Sequence, residues 1–246
     1  MTMQEPEYPK RFYEAVSLDT ADGQWRLLLD GRAAKTPGRQ ALTASSEALA
    51  NAMVREWSAQ DTHIMFAAMP MTGYQMTVLD AAASEHDAWR VEINRFMASD
   101  LLCYRAESPV ELVRRQNTIW DAALAALRAH FDITLKPVAG VMFLNQDPAA
   151  LARAETVIAT LDIPALLTAR RLTELTGSAA LGLLGAHMRM EEAAIIEAAQ
   201  LDETFQAEKW GLDSEAQARR AQIATEISDA MRFRRLTGVH AKVATP

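Results

Sequence analysis

Between residues 202 and 215 the sequence DETFQAEKWGLDSE places five carboxylates, one amide side chain and one indole within a single short stretch. Two carboxylates can perform acid–base chemistry when they face each other across a cleft, as glycosidases require. Nothing in this spacing sets Asp202 and Glu203, or the nearby Glu191 and Glu192, opposite one another. Other reactive signatures are missing from the chain. It has no HExxH, no GxSxG, no GxGxxG and no GxxxxGK[ST], and a lone cysteine forbids CxxC. The histidines, at 63, 86, 130, 187 and 240, are scattered without metal-ligand spacing. Acid, amide and indole together suit a surface that holds another protein, because tryptophan anchors interfaces and charged neighbours orient them.

Helical spacing sharpens this reading. Glu203, Gln206 and Trp210 lie at i, i+3 and i+7 and can share one face, while Leu201 and Phe205, at i and i+4, can anchor another face to a core. Asp202 and Asp213 flank the same stretch. Trp57 and Gln60 are three apart and close to Glu56; core packing of Trp57 and Trp210 is the competing explanation. In DLLCYRAE, Asp100 and Arg105 read as a buried junction whose charges satisfy backbone groups or each other. Arg115, Gln116 and Trp120 form a further amphipathic set. Thr176-Gly177-Ser178 within a helical run predicts close packing, as do Gly182 and Gly185 in an apolar helix. LLLDGRAAKTPG carries a lysine and an arginine beside turn amides and could hold an anion; a basic hairpin rim is the plainer reading.

These residues must be positioned by a fold, and the fold class expected is α+β. Asp22-Gly23 and Asp30-Gly31 punctuate apolar runs at 11–18 and 25–30, which predicts antiparallel hairpins. A helix follows, capped by Ser45 or Ser46, with Leu49, Met53 and Trp57 on one face. Further helices are expected at about 73–100, 109–130, 148–160, 164–184, 189–207 and 213–235. Pro137 to Leu144 reads as a short strand or extended linker. The expected division is an N-terminal domain over 1–72 and a helical domain over 73–246.

At 246 residues, half of them hydrophobic, the chain can bury a real core. Its formal charge of −7 argues against non-specific nucleic-acid binding. The charge is uneven, with acids concentrated over Glu191 to Glu215 and arginines over Arg219 to Arg235. Cys103 sits among apolar residues and reads as a small buried hydrophobe in a reducing compartment. The opening MTMQEPEYP lacks the apolar run of a signal peptide, and no run is long enough for a membrane span. The expectation is a soluble intracellular protein.

Taken in order, several blocks resemble the ATP12 family of F1-ATPase assembly chaperones. They are LLDGRAAKTP at 28–37; Glu56-Trp57 with Gln60; Met69-Pro70 with Thr72; Asp100 to Glu107; Arg115-Gln116 with Trp120-Asp121; Thr176-Gly177-Ser178; and Asp202-Glu203, Gln206, Trp210-Gly211, Asp213 and Glu215. Gly73 and Gln75 depart from the family pattern, which has less flexible or more charged residues there. The resemblance implies a small N-terminal α/β domain followed by an orthogonal helical bundle. It implies a non-enzymatic bacterial cytoplasmic chaperone without a cofactor, monomeric when free. Its client would be the unassembled alpha subunit of the ATP synthase F1 sector, protected from aggregation. It places the family's important acidic position at Glu203 and its disease-linked tryptophan at Trp57. The client-binding or supporting residues are then Glu203, Gln206, Trp210, Asp202, Asp213, Trp57, Gln60, Asp100 and Arg105. Two other readings compete: a small-molecule enzyme using carboxylates in an interdomain cleft, and a stable structural subunit of a complex.

Overall fold

The computed structural model describes residues 8–211 and 213–238; the expectation for the N-terminal stretch falls largely outside them. The described residues divide into two compact units, 8–81 with 236–238, and 82–235.

The first unit begins with strands β1 (Val16–Ala21) and β2 (Gln24–Leu29), paired antiparallel from Val16↔Leu29 to Ala21↔Gln24. Asp22 and Gly23 form the two-residue turn, both at positive φ, 53° and 75°. Asp30 and Gly31 repeat that geometry at 48° and 73° and return the chain into β3 (Arg32–Ala33). Aspartate and glycine tolerate left-handed backbone, and two such residues in succession give a turn whose twist matches the strands. Strand β4 (Thr43–Ala44) pairs with β2 through Trp25↔Ala44.

Helix α1 (Glu47–Ser58) is capped by Ser46, whose hydroxyl accepts from Leu49 N at 3.1 Å, and it buries Leu49, Met53 and Trp57. Helix α2 (Pro70–Asp80) starts on the Glu56 carboxylate, which accepts from Met71 N and Thr72 N at 2.8 Å each. At its far end Asp80 accepts from the Thr36 hydroxyl at 2.5 Å and from Gly38 N at 2.7 Å. A Cβ on Gly38 would lie 2.6 Å from Asp80 Oδ1, so a larger residue there would have to displace that carboxylate. Buried Gln75 donates to the Thr43 carbonyl at 2.7 Å. These bonds hold α2 on the sheet-containing unit. The observed division therefore lies after Ala81, not at the expected boundary after residue 72.

In the second unit, α3 (Ala83–Ala98) leads to β5 (Tyr104–Arg105), then α4 (Val110–Phe131) and β6 (Val138–Ala139), which pairs parallel to β5. There follow α5 (Pro148–Ala159), α6 (Ile163–Thr176), α7 (Ala179–Ala186), α8 (Glu192–Ala199), α9 (Leu201–Trp210) and α10 (Ser214–Thr237). Asp147 and Asp162 cap α5 and α6 through bonds to Ala149 N and Ala165 N.

Three expected long helices are each two. The run at 73–100 breaks at Ala81-Ala82, and that at 189–207 breaks at Gln200. The run at 164–184 breaks at Gly177, which takes left-handed φ of 69° to close α6, and at Ser178, whose side chain caps α7. Thr176-Gly177-Ser178 is thus a helix-to-helix joint, not a mid-helix feature.

Every residue of α7 is buried, and it packs among α3, α4, α6 and α8. An apolar helix without a polar face belongs at the centre of a domain. Its approach to α6 depends on glycine: a Cβ on Gly182 would stand 2.7 Å from the Ala169 carbonyl oxygen and closer still to Thr173 Oγ1. Gly182→Ala should therefore destabilise the protein by about 1–3 kcal/mol through overpacking, read by urea denaturation. A neutral or stabilising effect would show that the crossing relaxes freely.

Candidate functional site

Helix α9 carries the acidic stretch, and its two faces differ. Leu201 and Phe205 are buried. Glu203, Gln206 and Trp210 are exposed, Trp210 to 77%. A tryptophan left that open in the second unit stands out, because Trp57, Trp89 and Trp120 are buried and Trp25 is half-buried.

The inner face is fastened to α4 by a continuous polar chain. Asp202 Oδ1 accepts from Gln116 Nε2 at 2.7 Å, and Gln116 Oε1 accepts from Ala106 N at 2.7 Å. The Gln116 carbonyl accepts from Arg105 Nη1 at 2.9 Å. Arg105 also donates to the Leu102 carbonyl and to Asp121, each at 2.8 Å. Its guanidinium lies 5.2 Å from the Trp120 ring, whose Nε1 donates to the Ala198 carbonyl at 2.9 Å. Buried arginine is tolerated because each donor edge has an acceptor and a flat ring lies beneath it.

A second, more exposed clamp surrounds Phe205. Arg115 pairs with Glu111 at 2.9 Å and Glu208 at 2.7 Å, and Lys209 pairs with Glu111 at 2.7 Å. The Arg115 and Lys209 cations sit 5.3 and 5.4 Å from the Phe205 ring. The Lys209 ammonium, followed by Arg115, holds the Glu111 carboxyl below its ordinary range. Exposed pairs contribute little singly. Their geometric effect is to fix α9 so that Glu203, Gln206 and Trp210 point outward.

The outward face continues into α10. Asp213 caps that helix, accepting from Ala216 N at 3.2 Å. Gln200 donates to the Arg220 carbonyl at 2.8 Å and ties the start of α9 to α10. Glu203, Gln206, Trp210 and Asp213 line a shallow cleft of about 360 Å³, with Arg219 and Arg220 on its other wall. This arrangement offers acids, cations, an amide and an indole to a partner.

The remaining sequence candidates lie elsewhere. Asp202 is half-buried behind the face, bonded to Gln116, so it does not form a carboxylate pair with Glu203. Asp100 is wholly buried: Oδ1 accepts from the Ser178 hydroxyl at 2.8 Å and Leu102 N at 3.0 Å, and Oδ2 accepts from Ala180 N at 2.9 Å. Burial pushes its carboxyl up to about 6 despite these donors. Trp57 and Gln60 belong to the first unit. Trp57 is buried, and its carbonyl accepts from Tyr13 Oη at 2.7 Å. Gln60 accepts from Met65 N at 2.7 Å and donates to the Glu56 carbonyl at 2.9 Å. Asp100, Arg105, Trp57 and Gln60 are therefore structural supports in geometry. Burial pushes the Cys103 thiol up to about 12, as suits a packed side chain. Among the described residues no group of three His, Cys, Asp or Glu side chains is placed to hold a metal ion.

The sequence reading missed one conspicuous surface. Val141, Met142 and Phe143 are exposed to 93%, 78% and 66% in the segment after β6. Three apolar residues directly after Gly140, which takes a φ of 85°, were the available signal. That segment reads equally well as a strand, which conceals its exposure.

A family profile described as ATP12 chaperone protein matches residues 10–128. The solved structure of Atp12 from Paracoccus denitrificans is 35% identical, with a TM-score of 0.87 over 94% of this chain and 99% of that one. An Asp-to-Lys variant of Atp12p from the same organism matches at 34% identity and a TM-score of 0.88, over 94% and 98% of the two chains. A protein of Agrobacterium tumefaciens described as a candidate chaperone matches at 36% identity and a TM-score of 0.87, over 96% and 88%.

Proposed function

The chain belongs to the ATP12 chaperone family, and from that premise we propose that it binds the unassembled alpha subunit of the F1 sector and keeps it from aggregating. Family membership supports a chaperone role in ATP synthase assembly. The alpha subunit as client is the finer reading. The observation that favours a binding surface is the outward face of α9, where Trp210 is exposed while the helix beneath it is clamped.

An unassembled subunit exposes apolar interface that promotes association with wrong partners. A chaperone needs apolar contacts for affinity and polar ones for orientation. Trp210 and the exposed Val141 to Phe143 segment are suited to the first task, and Glu203, Gln206 and Asp213 to the second. None of these side chains is needed to complete the core, so the surface is available without unfolding. Among the described residues no helix is long and apolar enough to cross a membrane. The proposed setting is the bacterial cytoplasm, with the free protein a monomer. No nucleotide is invoked for release: an arriving beta subunit competes for the alpha-subunit surface that the chaperone covers.

The test is affinity capture of the tagged chain from cells during and after ATP synthase assembly. The expected result is enrichment of alpha over beta, fading when assembly is complete. Persistent recovery at fixed stoichiometry would identify a stable structural subunit instead. A purified mixture in which added beta subunit leaves the alpha complex intact would exclude release by competition.

A further inference from the structure

A second cleft lies wholly within the first unit, where the β2–β3 hairpin faces the N-terminal segment and α1. It measures about 440 Å³, and Phe12, Tyr13, Asp30, Arg32, Lys35 and Trp57 are among its walls. The aromatic side is rigidly built. Phe12 meets the edge of Tyr13 with ring centres 5.5 Å apart, and Tyr13 meets Trp57 at the same separation. Tyr13 is fixed by its bond to the Trp57 carbonyl, yet Phe12 remains 71% exposed.

The polar side carries two cations, Arg32 and Lys35, and one acid, Asp30. Arg32 and Lys35 are exposed and make no side-chain hydrogen bond or ion pair among the described residues. The hairpin acid Asp30 is already engaged, accepting from Ala15 N at 2.8 Å and Glu14 N at 3.0 Å. Trp57 is 4% exposed, and its buried Nε1–H has no acceptor among the described residues. Buried donors without acceptors are rare and costly. The Ala15 and Glu14 N–H groups, followed by the Arg11 and Arg32 charges, hold the Asp30 carboxyl below its ordinary range, and the two cations of the cleft outnumber this one acid.

We propose that this cleft binds an acidic segment of polypeptide, with a carboxylate on Arg32 and Lys35 and an apolar neighbour against Phe12. Charge complementarity selects the carboxylate. The exposed ring and the cleft volume select a peptide over a lone ion, because an inorganic anion leaves Phe12 and most of the space unused. The chain's net charge of −7 repels acidic partners at long range, so attraction is confined to this site. The proposal goes beyond the identity of the client and does not rest on the α9 surface.

The test uses the ¹⁵N-labelled full chain at low salt and two capped peptides, acetyl-Leu-Glu-Glu-Leu-amide and acetyl-Leu-Gln-Gln-Leu-amide. The Trp57 indole N–H resonance, assigned through its contact with Tyr13, should shift saturably with the acidic peptide. Binding should be at least about tenfold weaker for the neutral peptide, and should weaken as salt rises. The double variant Arg32→Ser, Lys35→Ser should lose the response while keeping the wild-type melting temperature, since both residues are exposed. Equal shifts from both peptides, or an unchanged response in the double variant, would overturn the proposal. A response matched by sodium phosphate alone would reduce the cleft to a non-specific anion site and overturn it too. Capture of the alpha subunit is read separately, so failure of either experiment leaves the other interpretable.

Discussion

Asp100→Ala is expected to lower the unfolding free energy by about 3–5 kcal/mol and the melting temperature by roughly 10 °C. Alanine leaves three donors buried without an acceptor: Leu102 N, Ala180 N and the Ser178 hydroxyl. Each stranded group costs about 1–3 kcal/mol, and relief of the buried charge offsets part of the sum. The same carboxylate joins residues 78 positions apart in sequence, and Ser178 also caps α7 through Leu181 N. Its loss therefore loosens the helix at the centre of the second unit. Asn is the instructive control. It keeps one acceptor but sets an amide N–H against a backbone N–H, so an intermediate loss is expected. A loss below about 1 kcal/mol for the alanine variant, by urea denaturation, would show that the knot is not a principal support.

The deficit of this variant should widen in acid. The Asp100 carboxyl titrates at about 6 when folded, against an ordinary 3.8. Between those values the folded protein holds more protons than the unfolded chain. Its contribution is fully present below about 3.8 and is lost as pH rises through 6. His187 acts in the opposite sense. Burial, then the Arg234 and Arg189 charges, hold it down to about 4 from 6.5, so its contribution is present above 6.5 and is lost as pH falls toward 4. In the wild type the two trends offset each other between about pH 4 and 6. Asp100→Ala removes one and leaves the other, so its melting temperature should fall more steeply than the wild type's between pH 6.5 and 4.5.

Sequence pattern reveals what is local. The Asp-Gly pairs announced both tight hairpin turns, because left-handed backbone is a property of the residues at the turn. The opposite faces of α9 followed from a period of three to four residues, and Leu201 and Phe205 are buried while Glu203, Gln206 and Trp210 are not. Asp202 and Glu203 were harder to separate. Adjacent positions differ by about 100° around a helix, and only the partner decides which turns inward. That partner is Gln116, 86 residues away. The long bonds were equally hidden: Glu56 to the start of α2, and Asp80 to Thr36 and Gly38. They explain why motif residues that could have contacted a partner serve as supports. The helix breaks at Gly177 and Gln200 were hidden because strong helix formers continue on both sides.

Glu203→Lys and Trp57→Ala should separate binding from folding. Glu203 is exposed beside Gln206 and Trp210 and makes no ion pair or side-chain hydrogen bond among the described residues. Lysine is a good helix former, so its folding cost is expected to stay within about 0.5 kcal/mol. Reversing the charge on a recognition surface places like charge against the client wherever the glutamate met a cation. Alpha-subunit affinity should drop by about tenfold or more, with the melting temperature within roughly 2 °C of wild type. Trp210→Ala should reproduce that pattern, because its indole contributes surface to a partner and little to the core. Trp57→Ala is the converse. Its ring packs between Tyr13 and Phe66 and is 4% exposed, so truncation should cost about 3–5 kcal/mol. Any fall in client binding should then follow the unfolded fraction and recover at lower temperature. Paired thermal melts and binding titrations on the three variants distinguish these cases. Comparable losses of stability in Glu203→Lys and Trp57→Ala would mean that the outward face of α9 is part of the scaffold. The client surface would then have to be sought first at Val141 to Phe143, where apolar side chains stand open to solvent.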